Sequence, residues 1–130
     1  MTREEFEQLV EDEFERAIPE KFRRHIKNVA FLVEDEPSQE LKVAEGLAVH
    51  ETLLGFYHGV PTPARGGWYG LGATMPDTIT LFQKPIEDDA ARSGAEVRKV
   101  IRDTIWHEVA HHFGMNEHEV RRREGKRDGV

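Results

Sequence analysis

The chain has 130 residues, 38 % of them hydrophobic, no cysteine, and a net charge of −7 from 18 Lys and Arg against 25 Asp and Glu. That length suits one domain spanning 1–130, and the missing cysteines exclude a disulfide framework, a cysteine-based zinc site and a thiol nucleophile. No apolar run approaches the roughly 20 residues of a membrane span, no secretory pattern opens the chain, and the acidic balance argues against a nucleic-acid partner, so a soluble cytoplasmic domain is expected.

Thr2 to Ile18 reads as a helix. Thr2 followed by Glu5 is a capping box, and Phe6, Leu9, Val10, Phe14 and Ile18 recur at three- and four-residue steps. Pro19 interrupts and starts a short helix over Glu20 to Ile26. Val29 to Val33 is a compact apolar run and predicts a buried strand, ended by Glu34 to Pro37. Ser38 to His50 is ambiguous: Leu41, Ala44, Leu47 and Ala48 suit a helix that Gly46 interrupts. Leu53 to Tyr57 predicts a second strand. Gly59 to Asp77 is rich in glycine and proline and reads as a long loop. Thr78 to Phe82 alternates and predicts a half-buried strand ending before Pro85, a candidate edge for a peptide to pair with. Ser93 with Glu96 forms a second capping box, opening a helix to Phe113 with Gly114 as its left-handed stop. Asn116 with Glu119 opens a short last helix, and the basic tail, 121–130, is expected to fray.

The chemistry concentrates in Trp106-His107-Glu108-Val109-Ala110-His111-His112-Phe113-Gly114. His107 and His111 stand four apart, which puts their side chains about 40° apart on one helix face. Two imidazoles so placed reach one zinc ion at roughly 2.0–2.1 Å with no bending of the backbone. Glu108 projects about 60° from His111 and reaches a water on that metal. Val97, Val100, Ile101 and Thr104 lead into the motif on the same stripe, so the histidines face the rest of the protein.

A third ligand is less plainly marked. In the extended H-E-x-x-H-x-x-G-x-x-H pattern it stands ten residues after the first histidine, which here is Glu117. Glu117 has the offset and an acceptable carboxylate donor; His118 has the preferred donor and a shifted offset. Glu117 and Glu119 also suit the positive end of a helix with no metal role. His112 points about 100° from His111 and reads as a surface or supporting histidine. Asp103 stands one turn before His107, as a ligand-orienting carboxylate or an exposed charge. Trp106 and Phe113 read as core. Tyr57, His58 and Tyr69 are candidates to stabilise an oxyanion, with packing the simpler role for the tyrosines.

The chain resembles the minimal zincin-like metallopeptidases, a family of small bacterial proteins. The segments IPEKF, NVAFLVEDEP, LLGFYHGVP, DTITLFQKPI and IWHEVAHHFGMNEHEV come in that family's order and spacing, the last being the most specific. The resemblance implies an α+β fold, a minimal zincin-like domain with a short three- or four-stranded sheet packed on the helix that carries H-E-x-x-H. It implies His107 and His111 as zinc ligands, Glu108 as catalytic base, and a further ligand from 116–119. The reading is zinc-dependent hydrolysis of a peptide or protein substrate, with Glu108 activating a zinc-bound water. Two rivals stand beside it: a metal-dependent endoribonuclease, which Glu108 and the acidic charge disfavour, and a non-catalytic domain stabilised by zinc. Nothing in the sequence specifies an oligomeric state.

Overall fold

The first helix begins where two side chains satisfy each other's backbone. In the computed structural model, which describes residues 1–18, 20, 29–48, 50–59 and 77–112, the Thr2 hydroxyl accepts the Glu5 N–H at 3.0 Å. The Glu5 carboxylate in turn accepts the Thr2 N–H at 2.9 Å. This reciprocal cap opens α1, Arg3–Ala17, as the sequence predicts, and α1 buries Phe6, Val10 and Ala17.

Three strands form one mixed sheet: β1 Val29–Glu34, β2 Gly55–His58 and β3 Asp77–Phe82, in the order β1-β3-β2. β1 runs parallel to β3 and β2 antiparallel to it. Two expectations change here. The strand over 78–82 is the centre of the sheet, so both its edges are taken and no peptide can pair with it. β1 is an edge strand buried on one side only: Val29, Phe31 and Val33 pack on the core while Leu32 is 46 % exposed. A continuous apolar run conceals which face is wet.

The ambiguous segment after β1 resolves into a short helix, α2, Gln39–Ala44, capped by the Ser38 hydroxyl accepting the Leu41 N–H at 3.1 Å. Gly46 follows at φ +71°, and α2 buries no residue. A further helix, α3, Gln83–Ser93, is absent from the sequence reading. Pro85 reads as a strand terminator, yet it lies in the first turn of α3, where the missing N–H costs nothing. The predicted Ser93–Glu96 capping box is likewise overturned. Ser93 is the last residue of α3, Gly94 closes that helix at φ +76°, and the Ser93 hydroxyl accepts the Ala95 N–H at 3.3 Å. The long helix α4 therefore starts later, Val97–His112. Glu20 is helical, but the rest of the short helix through Ile26, most of the 59–77 loop, Phe113, Gly114, the helix from Asn116 and the tail lie outside the described residues.

α4 is the axis of the fold, packed on α1, α3 and the sheet. Its Ile101, Ile105, Trp106, Val109 and Ala110 are all at most 1 % exposed and meet Phe6, Ile18, Ile79, Leu81 and Ile86. One charge is drawn into this layer. Glu13 of α1 is fully buried, and its carboxylate accepts from Arg98 at 2.8 Å, Arg16 at 3.0 Å and Arg102 at 3.4 Å. Two of these arginines belong to α4, so the cluster ties α1 to the helix that carries the histidines.

Glu13→Ala should lower the unfolding free energy by roughly 2–3 kcal/mol in urea titration, short of the largest buried-pair losses because the freed guanidinium groups regain water. At the surface, the hydrogen bond from the Arg3 guanidinium, and then its charge, hold Asp35 below the usual carboxylate range. Its folded pKa is depressed, so its contribution is present at neutral pH and is lost as the pH falls through that lowered value. In an NMR titration Asp35 should titrate below a free aspartate, and Arg3→Ala should return it to the ordinary range.

Candidate metal and catalytic site

Burial decides which way the H-E-x-x-H residues face. Trp106, Val109 and Ala110 go into the core, which turns His107, Glu108 and His111 to the half-buried flank of α4 that faces β2. There the three line a common cavity of about 400 Å³ together with Gly55 and Tyr57. The imidazoles of His107 and His111 have ring centroids 5.0 Å apart, with planes inclined at 63°. Two rings bound to one tetrahedral zinc, each nitrogen about 2.0–2.1 Å from it, would have centroids roughly 5 Å apart. The observed pair fits that requirement. Among the described residues no group of three or more His, Cys, Asp or Glu side chains is placed to hold a metal. Both proposed third donors, Glu117 and His118, lie outside those residues.

The wall opposite the helix depends on Gly55, a residue the sequence reading placed in a strand and gave no role. A Cβ there would stand 2.8 Å from the Thr104 methyl and 3.2 Å from both Glu108 Cγ and the Thr80 carbonyl. β2 therefore crosses α4 closely at Glu108, where a side chain on the strand would have to displace Thr104. The signal was available, since a glycine inside an apolar strand often marks a close backbone approach. Thr104 turns its hydroxyl back into the helix, donating to the Val100 carbonyl at 2.7 Å.

The remaining candidates separate. The Tyr57 hydroxyl donates to Asp77 at 2.7 Å, and Asp77 is 2 % exposed, so the phenol at the cavity wall is held by a buried carboxylate. His58 is exposed and stacks on Phe56 with centroids 6.4 Å apart. Asp103 accepts from Lys99 at 2.8 Å across one helical turn. Trp106 is core, as expected. His112 ends α4, but its side chain, like Phe113 and Tyr69, is not among the described parts.

Comparison with known families matches residues 26–127 to the zincin-like metallopeptidases. The chain belongs to that family. The match covers most of the chain and agrees with the small mixed sheet and helices of this α+β fold. No curated protein matches the chain. Among the described residues of this zincin-like metallopeptidase, no helix is long and apolar enough to cross a membrane.

The tight crossing can be tested directly. Gly55→Ala should cost about 1–3 kcal/mol of stability by overpacking. Adding Thr104→Ser, which deletes the nearest methyl, should recover part of that loss in thermal unfolding.

Proposed function

We propose that the protein is a zinc-dependent peptidase in which His107, His111 and Glu117 hold the metal and Glu108 is the general base. His118 is the alternative third donor. The observation that carries this reading is the convergence of the two imidazoles, 5.0 Å apart at their centroids, on a cavity they share with Glu108. A zinc ion bound there supplies Lewis acidity, lowering the pKa of water towards about 7 and polarising a scissile carbonyl.

The protein's own groups do the rest. Glu108 accepts the proton of the attacking water and returns it to the leaving amine, a role that needs a carboxylate within hydrogen-bond reach of both. Glu108 lines the cavity that it shares with His107 and His111, where Gly55 lets β2 come close to the helix. β2 is paired on one edge by β3, and its other edge meets no described strand. An extended peptide lying along that edge would take backbone hydrogen bonds beside Glu108 and be read independently of its exact sequence. A peptide or protein substrate suits such an edge.

Freshly purified protein should contain close to one zinc per chain by elemental analysis. His111→Ala should lose it, whereas Glu108→Gln should keep the metal and lose roughly 10²- to 10⁴-fold in peptide hydrolysis. Glu117→Ala should weaken zinc binding more than His118→Ala, and the reverse order would move the third ligand to His118. Wild-type protein purified without any zinc would remove the basis of the reading.

A further inference from the structure

A groove of about 670 Å³ lies between α1 and β1, at the opposite edge of the sheet from β2. One wall is a stripe of α1, Glu7, Val10, Glu11 and Phe14, at the three- and four-residue steps that share a helix face. The other wall is β1, touched at Phe31, Leu32, Val33 and Glu34 in succession. Successive side chains of a strand point to opposite faces, so a groove that meets four in a row runs along the edge of the strand. β3 takes one edge of β1, and the other meets no described strand.

The groove has an apolar floor and an acidic rim. Phe14 and Phe31 meet edge to face with centroids 5.0 Å apart and, like Val10, pack on the core, so the floor is held in place. Glu7, Glu11 and Glu34 stand exposed around it. Glu7 and Glu11 lie one turn apart on the same helix face, a like-charge pair that weakens the helix until a cation joins it. Arg3, whose charge reaches Glu7 and Glu34, is itself bound to Asp35 at 2.7 Å and to the Val33 carbonyl at 2.9 Å. Among the described residues, then, no cation forms an ion pair with the three rim carboxylates. A matching ligand brings apolar side chains to the floor and Lys or Arg to the rim. The chain's own basic tail, 121–127, offers the charge but no apolar side chain.

We infer that this groove docks an extended segment of a partner protein in which apolar residues are interleaved with Lys or Arg. The segment's backbone adds to the outer edge of β1, and the six residues of that strand, roughly 20 Å long, set its length. Its apolar side chains cover Phe14, Phe31 and the exposed Leu32, while the long Lys and Arg stems carry their charges out to Glu7, Glu11 and Glu34. β1 stands two strand spacings, roughly 10 Å, from the β2 strand that faces the histidines. The surface is therefore separate from the cavity of His107 and Glu108, and the inference does not rest on the peptidase reading.

The probe is a fluorescein-labelled peptide alternating Val and Lys, titrated against the full chain by fluorescence anisotropy. Its controls carry Glu for Lys, Ser for Val, or N-methyl groups at alternate residues, which block strand pairing. The Val–Lys peptide should bind roughly tenfold or more tightly than each control at about 50 mM salt, and should weaken at about 300 mM. Glu7→Lys combined with Glu11→Lys should weaken it roughly tenfold. Glu34→Lys, on the other wall, serves as the second variant if that pair fails to fold by circular dichroism. Amide NMR shifts on binding should centre on residues 7–14 and 29–34. No binding at millimolar peptide, equal binding of any control, or shifts centred on His107 and His111 overturns the inference. A dimer seen by sedimentation and lost in the Glu7→Lys, Glu11→Lys variant gives the groove to a second copy and overturns the partner. Peptide binding that appears only after Arg121→Gln, Arg122→Gln and Arg123→Gln gives it to the chain's own tail, with the same result.

Discussion

The packing of α4 is the constraint on which the rest of the structure depends. Ile101, Ile105, Trp106, Val109 and Ala110 fill the space between α1, α3 and the sheet, and that burial sets the rotation of the helix about its own axis. Once the rotation is set, His107, Glu108 and His111 have no choice of direction; they fall on the flank that looks towards β2. A helix free to turn by one residue would carry the same letters and hold the imidazoles against solvent or core. The fully buried Glu13, bonded to Arg98 and Arg102, adds a polar tie that resists sliding of α4 against α1. A site that needs two imidazoles held to within fractions of an ångström benefits from a support of this kind.

The second constraint is a missing side chain. At Gly55 the strand approaches so closely that a Cβ would contact both Thr104 and Glu108. The crossing lies beside the cavity that His107, Glu108 and His111 line. It also brings β2, whose other edge meets no described strand, beside the proposed base. The strand and the helix residues proposed for catalysis thus meet at one crossing, which is economical in a chain of 130 residues.

Much of this was legible in the residues. The Thr2–Glu5 box, the alternation of Thr78 to Phe82 and the four-residue step from His107 to His111 are local patterns, and local hydrogen bonding or helix pitch enforces them wherever they fold. The errors came where one residue type serves two geometries. Pro85 stops a strand and also opens a helix, so α3 was missed. Ser93 caps the start of many helices, but here Gly94 behind it ends one. The apolar run of β1 has no polar residue to show which side is wet, and only its position at the sheet edge exposes Leu32.

What the sequence determined by itself is which side chains share one face of the histidine-bearing helix. His107, Glu108 and His111 come to one face because helix pitch alone brings them there, and with no cysteine in the chain the metal chemistry proposed for them is one of nitrogen and oxygen donors. Tertiary structure decided what that face meets. The order β1-β3-β2 made the 78–82 strand central and left β2 beside the histidines, and close packing at Gly55 set β2 against Thr104 and Glu108. Strand order and interhelical packing depend on contacts between residues far apart in the chain, and no local pattern records them.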